Sequence, residues 1–190
     1  DADFTIAPGR LDARLATPAE RRVTLGARIA FISHPVTDPK RGPALSAADA
    51  ELYTRAGEGM IRLRQRVLAL ADRLAGGERD PWRAVRAFWN FLIDERRVGI
   101  LHYDLLDPEW PTDWIVDDGD YDCHLGATAL VGLCRAKQIP ARVMSGYLPY
   151  PTAPAEHYWA EIWLDGAWRP FDTLVSDLSL QGRDPAWHDL

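Results

Sequence analysis

His157 to Thr173 reads HYWAEIWLDGAWRPFDT, and this stretch decides the fold. Its first eight residues alternate, which places His157, Trp159, Glu161 and Trp163 on one face of an expected strand. Asp165-Gly166 comes next, the pair preferred in a two-residue hairpin turn. With those two residues as the loop, Leu164 opposes Ala167, Trp163 opposes Trp168, and Trp159 opposes Asp172. Opposed residues share a face, so His157 and Asp172 are diagonal neighbours, about 7 Å apart at the backbone and within side-chain reach. A slip of one residue would carry Asp172 to the other face. Pro170 cannot donate to a ladder and marks a bulge or a strand edge.

Upstream, Asp122 to Ala136 reads DCHLGATALVGLCRA. Ala127, Leu130, Val131 and Cys134 recur at helical spacing, so Cys123 falls in the first turn of a buried helix. Unpaired N–H groups and the positive end of the helix dipole favour a thiolate there, which predicts a lowered thiol pKa. The same N–H groups can hold an oxyanion during acyl transfer. Cys134, deep in the helix on the same face, gains neither effect and reads as a small buried hydrophobe. A thiol at a helix start needs a base, and the base needs a group to fix its tautomer. Cys123, His157 and Asp172 supply nucleophile, base and orienting carboxylate in that chain order. The other histidines fit less well. His34 and His188 sit in a loop and the tail, His102 comes after an apolar helix end, and His124 points about 100° around the helix from Cys123.

The rest of the chain reads as scaffold and loops. Residues 1–22 are weakly patterned, Val23 to Ile32 has strand character, and His34 to Leu45 carries three prolines and reads as a linker. Ser46, with Asp49 in a capping arrangement, opens a helix expected to run six turns. Its stripe is Leu52, Ala56, Met60, Leu63, Val67, Leu70 and Leu74, and Gly76-Gly77 stops it. Asp80 and Pro81 start the next helix, with Val85, Phe88, Trp89 and Leu92 as its buried face. Residues 104–122 are acidic, aromatic and aperiodic, a long loop in which Trp110 and Trp114 either form a substrate wall or plug the core edge. Tyr147 to Glu156, with Pro149, Pro151 and Pro154, is a stiff loop beside His157 and a candidate specificity element. The expected division is an N-terminal segment over 1–45, strand and linker, and a domain over 46–190 that is shortened at its C-terminus. The chain opens on Asp1 rather than Met, which reads as a processing site or a boundary.

Composition bounds the partners. A chain of 190 residues with 47% hydrophobic content can bury one ordinary core. A net charge of −6 and a pI near 5.3 argue against nucleic acid or an anionic membrane surface. No run approaches the roughly 18 apolar residues of a membrane span. Cys123 and Cys134 are about three helical turns apart, roughly 16 Å, too far for a disulfide. Two free thiols tilt the compartment toward the reducing cytoplasm. No CxxC pair, HExxH motif or calcium-loop spacing appears, so no metal or other cofactor is expected.

Tyr121 to Thr173 resembles the core of the transglutaminase-like superfamily. The marks are a Cys opening a helix, then LCRAKQIPARVMSGY at 133–147, then HYWAEIWLDGAWRPFDT at 157–173. The resemblance extends over roughly residues 81–175. It implies an α+β, papain-like fold with helices packed on an antiparallel sheet and the Cys at the N-terminus of the central helix. It also implies a Cys-His-Asp triad, which maps onto Cys123, His157 and Asp172. The implied activity is acyl transfer or amide and peptide-bond hydrolysis through a thioester, on a peptide, protein or small amide or thioester substrate. Members without catalysis exist, so a binding or scaffold module is the alternative, and Cys123, His124 and His157 as metal ligands is a third reading. Two positions depart from the family pattern. Tyr121 stands where a Gly is usual and could narrow the approach to the thiol, and Gln138 stands for the Gly of Gly-Ile-Pro. A left-handed Gln138 would cost on the order of 1 kcal/mol. An upstream aromatic often adds an oxyanion donor in this family, and Trp110, Trp114 and Tyr103 are the candidates.

Overall fold

The computed structural model describes residues 2–7, 10–15, 43–56, 59–117, 119–148 and 155–176. The chain divides into two compact units, residues 1–36 and 37–190. The first contains an antiparallel hairpin of β1 (Ala2–Ala7) and β2 (Arg10–Leu15), in register from Ala2 opposite Leu15 to Ala7 opposite Arg10. ADFTIA and RLDARL alternate apolar and polar residues with period two, a signal that weakly patterned surroundings obscure. The strand expected over residues 23–32 lies outside the described residues.

The second unit contains α1 (Ala47–Thr54), α2 (Gln65–Ala75), α3 (Pro81–Glu95), a 3-10 turn (Tyr103–Leu105), α4 (Asp113–Val116) and α5 (Cys123–Ala136). Three strands complete it: β3 (Ala141–Leu148), β4 (Ala155–Leu164) and β5 (Ala167–Phe171), antiparallel in the order β3-β4-β5. The six-turn helix expected from Ser46 is instead two helices. Ser46 does cap α1 through Asp49 N–H, but the sequence between the helices carries Gly57 and Gly59, and Gly59 takes a φ of +67°. Each glycine inside a helix costs about 1 kcal/mol, and α1 buries no residue that could offset it. The amphipathic stripe is therefore realised only in α2, through Val67, Leu70 and Ala71.

Every residue of α5 from Leu125 to Arg135 is buried, which makes it the centre of the unit. It packs on Ala160, Ile162 and Leu164 of β4, and α2 and α3 close over it with Leu70, Phe88, Phe91 and Leu92. Asp80 caps α3 through Trp82 N–H, with Pro81 as its first residue, as the sequence predicts. The end of α5 turns on Gln138, which adopts φ +57°, and Ile139 N–H returns to Cys134 O at 2.9 Å. That turn fixes where β3 begins. Arg135 reinforces it, donating to Ala141 O at 2.8 and 3.0 Å.

Candidate active site

The Asp-Gly hairpin forms in the expected register, with Leu164 opposite Ala167 and Trp163 opposite Trp168. Asp165 and Gly166 both take positive φ, as the tight turn requires. Pro170 lies on β5, an edge strand, where a missing donor is tolerated. Asp172 comes directly after β5, and its Oδ2 lies 2.6 Å from Nε2 of His157. Its Oδ1 accepts Val175 N–H at 3.1 Å, so one carboxylate serves the imidazole and the turn after β5 together. His157 is buried, only 3% exposed, and its Nδ1 has no hydrogen-bond partner among the described residues.

Cys123 is half-buried at the first position of α5. Backbone N–H groups of Tyr158, next in chain to His157, and of His124 reach its thiol. Burial pushes the thiol up from its ordinary value, Asp122 and Asp172 push the same way, and the two N–H groups oppose them. The direction is opposite to the lowering expected from a helix start. The physical reason, beyond burial, is the cap. Asp122 is the N-cap, accepting Leu125 N–H at 2.8 Å, so a carboxylate occupies the end of the helix whose positive dipole was to favour the thiolate. Cys134 is fully buried, and burial drives its thiol far above the ordinary range.

Tyr121 does not narrow the approach to Cys123. It is 1% exposed, its hydroxyl donates to Leu92 O at 3.0 Å, and its ring packs on Gly126 of α5. A Cβ at Gly126 would lie 2.5 Å from Tyr121 Cδ2 and 2.8 Å from Thr173 Oγ1. Gly126, one turn inside the helix, is where room for the Tyr121 ring is made. Trp114 is packed against the core and its Nε1 donates to Asp120 O at 2.8 Å, while Trp110 lies under the Arg64 guanidinium. Trp114 thus plugs the core edge, while the contact of Trp110 is with Arg64. Tyr103, one of the three upstream aromatics, lies within electrostatic reach of Cys123.

Two contacts had no sequence signal that could reveal them. The Tyr103 hydroxyl reaches both oxygens of Asp122, at 2.9 and 2.8 Å. The His124 ring stacks on Tyr158 with centroids 4.0 Å apart, and burial lowers its pKa. Both join residues from separate elements. No group of three or more His, Cys, Asp or Glu able to hold a metal occurs among the described residues, so Cys123, His124 and His157 do not assemble as ligands. No helix among them is long and apolar enough to cross a membrane.

Comparison with known proteins points one way. The model of the Transglutaminase-like superfamily matches residues 68–173, more than half the chain. No curated protein matches. The periplasmic domain of TgpA from Pseudomonas aeruginosa superposes with a TM-score of 0.59 at 20% identity, over 77% of this chain and 53% of that one. The same domain bound to ethylmercury gives 0.60 at 21% identity, over 74% and 54%. A protein from Cytophaga hutchinsonii described as a candidate cysteine protease gives 0.53 at 23% identity, over 68% and 43%. The chain spans about half the length of these structures, and the likeness establishes a shared fold.

Proposed function

The chain belongs to the transglutaminase-like superfamily, and from that premise we propose a cysteine-dependent acyl-transfer or amide-hydrolysing enzyme whose nucleophile is Cys123. The observation that carries the reading is the state of His157. One ring nitrogen is held by Asp172 at 2.6 Å, and the other is buried with no hydrogen-bond partner among the described residues. With the proton on Nε2 donated to Asp172, Nδ1 keeps a lone pair free to accept one. Burial raises the Cys123 thiol, and a base placed to take its proton answers that cost.

In the proposed sequence Nδ1 of His157 takes the thiol proton as Sγ bonds to the carbonyl carbon of an amide or thioester. The tetrahedral oxyanion meets backbone N–H groups at the start of α5. The C–N or C–S bond then breaks, and His157 returns the proton to the departing amine or thiol. Water or an amine attacks the thioester and gives its proton to His157, the C–Sγ bond breaks, and His157 passes that proton to Sγ, which restores the Cys123 thiol. Asp172 holds the imidazole throughout and stabilises the imidazolium. The substrates that fit are peptides, proteins or small amides and thioesters.

The test is Cys123→Ala against an acyl donor, with a thiol-directed electrophile or an organomercurial on the unmodified protein. Turnover should fall to background and the native protein should label at Cys123. Full activity in the variant, or preferential labelling of Cys134 in the native protein, refutes the assignment. Labelling at Cys123 with no turnover of any acyl donor favours a binding module instead.

A further inference from the structure

The chain leading into Cys123 is fastened along one side to residues 97–103. Gly99 N–H donates to Tyr121 O and Tyr121 N–H to Arg97 O, both at 2.9 Å, and Arg97 pairs with Asp120. At the end of this seam the Tyr103 hydroxyl lies 2.9 and 2.8 Å from the two oxygens of Asp122. Oδ1 of the same carboxylate accepts Leu125 N–H at 2.8 Å. One carboxylate is thus held from two sides, by the helix it caps and by a phenol from a separate turn. It stands one residue before the thiol.

Taking Cys123 as the nucleophile proposed above, we infer that Tyr103 is a positioning residue for Cys123 that acts through Asp122. A carboxylate is a good cap for a helix and a poor neighbour for a thiolate, because like charges oppose each other. The groups around the thiol are Tyr158 from β4, Asp172 beyond β5, His124 from α5 and Tyr103 from the 3-10 turn; His157 is held by Asp172, and Glu156 lies one step further out, on Tyr158. Two further facts set the balance of charge. Asp122 and Asp172 are the carboxylates that act on the thiol, and Asp172 is answered by His157 at 2.6 Å. Asp122 is answered by the phenol, whose hydrogen bond draws charge off the carboxylate and keeps it turned toward Leu125 N–H. Tyr103 therefore limits the cost of ionising Cys123 while leaving the cap in place.

Opposite ends of this one hydrogen bond should have opposite effects, which a merely structural role would not produce. The experiment measures carbamidomethylation of Cys123 by iodoacetamide against pH, read at the Cys123 peptide by mass spectrometry, with thermal unfolding in parallel. Asp122→Asn removes the charge but keeps an oxygen for both Leu125 N–H and the phenol. Below the thiol's titration it should label faster, on the order of threefold to tenfold, since one unit in pKa is a tenfold change in thiolate. Tyr103→Phe, which keeps the ring and removes the donor, should label more slowly. Added to Asp122→Asn, it should change the rate little. Equal signs from the two single variants overturn the inference, as does no change in either. If Tyr103→Phe fails to fold, Asp122→Asn decides alone, because Asn is as good a cap as Asp and failure to accelerate is then fatal. Labelling is independent of turnover. A failure here leaves the Cys123→Ala result standing, and full activity in Cys123→Ala leaves the rate comparison standing as a fact about the thiol.

Discussion

Gly126→Ala places one methyl group where α5 meets both Tyr121 and the residue after Asp172. Its Cβ would stand 2.5 and 2.8 Å from two carbons of the Tyr121 ring and 2.8 Å from Thr173 Oγ1. Ordinary contact needs roughly 3.5–4 Å, so the ring must retreat by about 1 Å. It has little room, being 1% exposed and tied through its hydroxyl to Leu92 O. Thr173 is 2% exposed and adjoins the carboxylate that holds His157. Overpacking costs typically about 1–3 kcal/mol, and two anchored neighbours put this site in the upper part of that range. Ala gains about 1 kcal/mol over Gly as a helix former, which leaves a net loss of about 1–2 kcal/mol. For a domain of roughly 150 residues this lowers Tm by roughly 2–8 °C.

Urea and thermal unfolding monitored by circular dichroism measure that loss. Turnover measures whether displacing Thr173 also disturbs Asp172, in which case activity at ambient temperature falls more than the folded fraction does. Tyr121→Gly supplies the control. In that background the ring contact is gone and only the Thr173 contact remains, so Gly126→Ala should cost less than in the native chain, and the cycle should show a coupling of at least about 1 kcal/mol. A single Gly126→Ala variant that gains about 1 kcal/mol would refute the packing argument, because propensity alone would then account for the site.

Asp172→Asn keeps an oxygen for Val175 N–H but removes the charge that selects the His157 tautomer. It should lower kcat by on the order of 10²–10⁴ with the fold intact, and a drop of less than about threefold would count against Asp172 as the orienting group. Cys134 predicts an alkaline weakening of the fold. Its thiol is raised in the native state, so above the ordinary thiol pKa of about 8.5 the unfolded chain releases a proton that the native chain keeps. The unfolded state then binds fewer protons, and stability falls as pH rises, by up to about 1.4 kcal/mol per unit for this thiol. Urea unfolding across the alkaline range, from roughly pH 8 to 10, should show a shallower slope in Cys134→Ala. An unchanged slope sinks the claim, whatever that variant's absolute stability.

The hairpin is legible in the sequence because its information is local. Asp165-Gly166 sets the turn, the turn sets the register, and the register carries His157 to Asp172 across 15 residues of chain. Gln138 is legible for the same reason, since the conformation just past a helix end depends on a few adjacent residues. The six-turn helix does not form, because a stripe of apolar residues predicts it only when Gly57 and Gly59 are left out of account. Tyr121 escapes for a different reason: whether a ring lines a cleft or enters the core depends on the space left for it, and that space is made at Gly126. The thiol's direction escapes likewise, because the helix dipole is a property of α5, while burial comes from packing and one of the opposing carboxylates from beyond β5.

The candidate site is divided between a part fixed by short-range rules and a part fixed by packing. His157 and Asp172 sit on one hairpin, and the second oxygen of Asp172 closes the turn after it. The orientation of the imidazole is therefore as stable as that turn. Cys123 belongs to a different element, and its place depends on how α5 lies against β4. Gly126 lets Thr173 and Tyr121 approach the helix one turn below the thiol, so the same close contact that admits a ring also bears on where Cys123 lies against the hairpin. A change in packing at Gly126 should accordingly shift α5, and Cys123 with it, relative to the hairpin. A change at the Asp165-Gly166 turn should break that pair and leave the helix in place.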